Sequence, residues 1–118
     1  MKYKYKFSEI VFKSGNRKLI IIMEEKYQMA AQFLMSDIQG SDPTYVFEII
    51  DKVLNGENDC EELNGNVCGV KIHKDKTQIY DNLAEDGMGN WCEIETKDLR
   101  ELVGIWCKEV EKFKGQHK

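Results

Sequence analysis

The sequence predicts an α+β fold, an antiparallel sheet built from hairpins with two helices packed on it. Three observations carry this expectation. Period-two stretches occur in pairs joined by short turn signals, two other stretches carry an apolar face at helical spacing, and the helices fall between or after the hairpins. A length of 118 residues, 42% of them apolar, supports one core and is too short for two, so residues 1–118 read as a single domain.

The elements follow in order. Tyr3, Tyr5 and Phe7 alternate with Lys2, Lys4 and Lys6, the period of a half-buried strand, and the pattern continues to Phe12. "SGN" at 14–16 turns the chain, and "RKLIIIMEE" returns as a second strand rich in β-branched residues. "YQMAAQFLMSDIQG" is ambiguous. Met29, Phe33 and Leu34 would share a helical face, yet the segment has no N-cap and ends abruptly at Gly40. With Glu25-Lys26 as a hairpin turn, residues 28–38 are expected to form a third strand. "SDPTYVFEIIDKVLNG" is a helix, with Ser41 or Asp42 as cap, Pro43 in the first turn and Asn55-Gly56 as its stop. The pairs Tyr45/Val46, Ile49/Ile50 and Val53/Leu54 mark its buried face.

Residues 57–62 read as an acidic linker, and Asn64-Gly65 as a turn. Val67 to Ile72 form a strand, "HKDK" turns tightly, and "TQIYDN" returns as the partner. "EDGMGN" is a loop before the short strand "WCEIE". Thr96 is expected to cap a last helix whose stripe is Leu99, Leu102, Val103, Trp106, Val110 and Phe113, ending at Gly115.

Composition excludes several function classes. The longest apolar run is Leu19 to Met23, far short of a membrane span. The N-terminal segment alternates charge and aromatics, unlike a signal peptide, so a cytoplasmic location is expected. Charge is uneven. Residues 1–20 carry six Lys/Arg against Glu9 alone, a local net of +5, whereas residues 42–101 carry fifteen Asp/Glu against six Lys/Arg, a local net of −9. The acidic middle repels phosphate and attracts basic partners, which disfavours direct nucleic-acid binding.

Catalytic and metal-binding patterns are weak. Cys60, Cys68, His73 and Cys92 supply zinc-type ligands, but at spacings of 8, 5 and 19 in place of close pairs. Cys68 and His73 differ by an odd number and would face opposite sides of one strand, so buried free thiols are the plainer reading. "DNLAEDG" resembles the start of a calcium loop, but Leu83 stands where an oxygen ligand belongs and Gly87 is one place late. His73 is placed beside a lysine-rich turn and His117 lies in a charged tail, so neither makes a convincing base. Glu61/Glu62 and Glu93/Glu95 read as solvated charge. No cofactor is expected.

What remains is an acidic surface with aromatics set into it. Glu57, Asp59, Glu61 and Glu62 precede one turn. Asp81, Glu85 and Asp86 surround another, beside Tyr80 and Trp91. Aromatic anchors within a charged rim suit a protein contact, and these nine residues are the candidate partner-binding set.

The hairpin "VCGVKIHKDKTQIYDN", the loop "LAEDGMGNW" and the closing "CEIETKDLRELVGIWCKEVEKF" resemble bacterial toxin-immunity proteins, in particular those of contact-dependent growth inhibition. The likeness is one of layout and charge over the last half of the chain. A weaker similarity is to small enterobacterial proteins of the YacL type, through the order of elements. The first resemblance implies a non-enzymatic inhibitor that binds a cognate toxin domain, often a basic nuclease. A small metal-binding or hydrolytic protein using the Cys/His set, or an adaptor subunit, is the alternative.

Overall fold

Two short strands open the chain. β1 (Tyr5–Val11) and β2 (Arg17–Met23) pair antiparallel from Tyr5↔Met23 to Val11↔Arg17. Gly15 sits at φ +90°, a conformation that L side chains resist, and so closes the hairpin. One face of the ribbon buries Ile21 and Met23, and its Phe7 stacks on Trp106 at 6.4 Å. In a computed structural model, residues 2–38, 42–65, 67–81 and 91–116 are described.

Residues 28–38 are not the expected strand. A 3-10 turn at Glu25–Tyr27 leads directly into a helix, α1 (Gln28–Asp37). The missing N-cap misled, because tertiary burial stabilises this helix. Ala30, Ala31, Phe33 and Leu34 lie on one face at helical spacing and are all buried. Its last residue is tied to the sheet, since the two Asp37 carboxylate oxygens accept the backbone N–H groups of Val67 at 3.1 Å and Cys68 at 2.9 Å.

α2 (Thr44–Leu54) ends as the sequence predicts, but it starts one residue later, with Pro43 at the cap position and not inside the first turn. The Asp42 carboxylate accepts from the Thr44 amide at 3.0 Å and hydroxyl at 2.6 Å, and these bonds hold it below the usual carboxylate range. Ser41 lies outside the described residues. Gly56, at φ +79°, follows Asn55 as the stop. Ile50 and Val53 are buried as expected, but Tyr45 is 67% exposed and does not join the buried face.

β3 (Cys60–Asn64), β4 (Cys68–His73), β5 (Lys76–Asp81) and β6 (Trp91–Glu95) form a four-stranded antiparallel meander in that order. β3 corrects the linker reading. It is an edge strand whose side chains are mostly polar, and Leu63 is the apolar exception turned toward the core. The inner sheet face buries Cys68, Val70, Ile72, Thr77, Ile79, Cys92 and Ile94 under the helices.

α3 (Thr96–Gln116) completes the core with Leu99, Leu102, Val103, Trp106, Cys107 and Val110. The expected stripe holds, though Phe113 is only half-buried and the helix runs through Gly115. The Thr96 hydroxyl donates to the His73 carbonyl and accepts from the buried Thr77 hydroxyl at 2.8 Å, so its side chain fastens the helix start to the sheet. Trp106 donates its indole N–H to the Ile38 carbonyl at 2.7 Å, and Arg100 forks onto Asp51 at 2.7 and 3.1 Å. No described helix is long and apolar enough to cross a membrane.

Candidate partner-binding site

With the helices on one side, period-two alternation leaves the other face of the meander open. That face carries Cys60, Glu62 and Asn64 from β3, Gly69, Lys71 and His73 from β4, Lys76, Gln78 and Tyr80 from β5, then Trp91, Glu93 and Glu95 from β6. Most are exposed.

Tyr80 organises one end of it. Its ring crosses the backbone of Gly69, its direct partner on β4, and its hydroxyl donates to Glu62 on β3 at 3.1 Å. One side chain therefore spans three strands. Tyr80 is 9% exposed as a result, and burial, followed by the hydrogen bond to Glu62, pushes its phenol above the usual range. The Lys71 ammonium stands over the ring, 5.9 Å from its centre. Trp91 lies opposite Tyr80 on the next strand and is 49% exposed.

The sequence-predicted set is thus partly assembled. Glu62, Tyr80 and Trp91 share the open face. Glu57 and Asp59 are exposed on the approach to β3. Glu61 and Asp81 are half-buried on strand positions of the inner side, where Glu61 accepts a hydrogen bond from the Asn58 amide. Glu85 and Asp86, like the rest of the loop, lie outside the described residues, as does His117.

Two residues were not foreseen. Tyr45 stands at a groove of about 220 Å³ between α1, α2 and β3, with Phe33, Val46, Leu63 and Glu62 among its walls. Its place in the apolar stripe of α2 hid it, because the helix face is wider than the core it covers. Glu93, read as solvated charge, adds a carboxylate to the open face.

The set Cys60, Cys68, His73 and Cys92 is not one site. Cys68 and Cys92 are buried on the inner face, and Cys60 and His73 point outward. Burial chiefly pushes the Cys68 thiol up to about 12 and Cys92 to about 11, which keeps both protonated and poorly nucleophilic. No cluster of three metal-ligating side chains occurs among the described residues.

Comparison with known proteins decides the family. A curated protein of Bacillus cereus named "Immunity protein" is 39% identical over 119 residues, an alignment that covers 100% of this chain and 97% of the relative. The chain belongs to this immunity-protein family. No family model matches it, and no solved structure does.

Proposed function

We propose that this chain binds and neutralises a cognate toxin domain, and does so without enzymatic activity. The observation that carries the reading is the half-exposed Trp91 beside the Tyr80–Glu62 pair on an open sheet face, in a chain of the immunity-protein family. An indole offers a large rigid contact at small entropic cost, and carboxylates around it select a basic counterpart.

The toxin is, in this reading, a basic nuclease of the kind used in contact-dependent growth inhibition. A nuclease presents positive charge to phosphate. Carboxylates at Glu57, Asp59, Glu61, Glu62 and Asp81, with Glu85 and Asp86 from the adjoining loop, steer the inhibitor to that charge and away from nucleic acid. The local net of −9 over residues 42–101 supports this steering. The complex forms in the cytoplasm, with neither cofactor nor membrane.

Co-expression with a candidate toxin domain from a neighbouring gene is the direct test. A stable complex on size exclusion, with an association rate that falls as salt rises, is expected. Two proteins that elute separately at low salt would remove the reading, and salt-independent association would remove its electrostatic part.

A further inference from the structure

β3 is an outer strand of the meander, paired with β4 along one edge only. The Gly65 amide donates to the Cys68 carbonyl at 2.9 Å, which makes those two a hydrogen-bonded pair in the β3–β4 register. Antiparallel pairs alternate in kind. Glu61 and Leu63 therefore bond to β4, while Cys60, Glu62 and Asn64 turn their backbone N–H and C=O groups outward. No described strand receives them.

A groove lies beside this edge. It follows Glu62, Leu63, Asn64 and Gly65 on one side and has α1 and α2 on the other. Phe33, Val46, Leu63 and the exposed Tyr45 make it apolar. An unpaired edge with an apolar trench between strand and helices is the setting in which an extended peptide adds to a sheet.

The devices that usually block such an edge are missing. β3 contains neither proline nor lysine, and its pairing with β4 runs without a bulge from Cys60↔His73 to Asn64↔Gly69. What it carries is acid, at Glu61 and Glu62, on an approach that holds Glu57 and Asp59. Among the described residues, Asp37 and Glu62 line the groove and no lysine or arginine does. Two β3 edges brought together would set like charges against each other, so the edge selects a basic strand and rejects its own copy.

We propose that β3 accepts a basic, extended segment of the partner as a further antiparallel strand of the meander. The residue beside Glu62 exchanges both backbone hydrogen bonds with it, and its side chain lies on the open face, where lysine or arginine meets the carboxylate. Its neighbours point the other way, into the trench, where a branched apolar side chain meets Phe33, Val46 and Leu63. The segment thus alternates basic and apolar residues. The immunity reading enters only in making the toxin its source.

The probe is a capped hexapeptide of alternating lysine and valine, titrated into the isotope-labelled chain while amide NMR spectra are recorded. Saturable shifts at Glu62, Leu63, Asn64 and Tyr45 are expected, with slowed hydrogen exchange at the Glu62 and Asn64 amides. In the free chain those amides exchange faster than Glu61 and Leu63. A glutamate–valine peptide, and a lysine–valine peptide N-methylated at its lysine amides, should each bind about tenfold more weakly or worse. Asn64→Pro removes an outward N–H at an edge position that tolerates proline, and should abolish binding that Asn64→Ala retains. Circular dichroism checks both folds, and the N-methylated peptide tests the same bond without any substitution. No saturable change on β3, equal binding of the N-methylated peptide, or shifts confined to the face around Trp91 overturns the proposal. The assay needs no toxin. Peptide binding without a toxin complex would remove the immunity reading alone, and the converse would remove the edge site alone.

Discussion

The Tyr80 ring occupies the space that a side chain at Gly69 would need. A Cβ at position 69 would come within 2.3 Å of Tyr80 Cζ and 2.5 Å of its hydroxyl oxygen. Glycine here is required by packing, because its φ is not in the left-handed region. The same ring delivers the hydroxyl that holds Glu62.

Gly69→Ala is therefore expected to destabilise the fold by about 1–3 kcal/mol, the usual cost of overpacking. The same substitution in a Tyr80→Ala background should cost almost nothing. Chemical denaturation of the four proteins of that cycle measures the coupling. Equal costs in the two backgrounds would mean that the ring and the glycine are not in conflict.

The thiols should react unequally. Cys68, Cys92 and Cys107 are buried and pushed up in pKa chiefly by that burial, while Cys60 is exposed. In chelator, at about pH 8, iodoacetamide should label the native chain once, at Cys60, because thiolate and access are both needed. Denatured protein should take four labels, in line with its four cysteines. Rapid native labelling of Cys68 would contradict the inner-face placement.

Sequence periodicity made the β1–β2 and β4–β5 hairpins, α2 and most of the α3 stripe legible, since these elements carry strong patterns and their own turn residues. It failed where tertiary context decides. α1 lacks a side-chain cap and is stabilised by Ala30, Ala31, Phe33 and Leu34 packing inward. β3 lacks an apolar alternation because only Leu63 of its two inward positions packs on the core, the other being Glu61. On the open face, residue type alone marked Glu62 and Trp91 as candidates. The reach of Tyr80 across Gly69 to Glu62 depends on strand register, which no local pattern encodes.

Acid titration gives a signed test at the start of α3. Lys2 donates to Glu95 at 2.9 Å and, with Asp98, holds that carboxyl below the usual range, whereas burial and then the bond to Glu95 hold Asp98 above it. The contribution of Glu95 is present above its unfolded pKa and is lost as pH falls through the lowered folded value. That of Asp98 has the opposite sign. It favours the fold below the unfolded pKa and fades as pH rises through the raised one. Lys2→Ala should move the Glu95 midpoint upward markedly and that of Asp98 only slightly, as read by carboxyl-carbon NMR. An unmoved Glu95 would show that the ion pair is not formed in solution.

The division between core and contact surface yields the last prediction. Leu102 is fully buried, so Leu102→Ala should cost about 2–5 kcal/mol of stability and change partner affinity only by depleting folded protein. Trp91 is half-exposed, and Trp91→Ala should leave the melting temperature nearly unchanged while weakening the toxin complex by about 2 kcal/mol or more, mostly through faster dissociation. Glu57 and Asp59 are exposed outside the sheet ladder. Reversing both to lysine should slow association at low salt, with little effect on dissociation, and the defect should shrink as salt rises past physiological strength. Surface plasmon resonance on variants matched for folded fraction separates the two rates. If Trp91→Ala and the double reversal both bind like the parent, the contact lies elsewhere on the chain. The groove beside Tyr45, which the open face adjoins through Glu62, is then the next surface to vary, by Tyr45→Ala in the same assay.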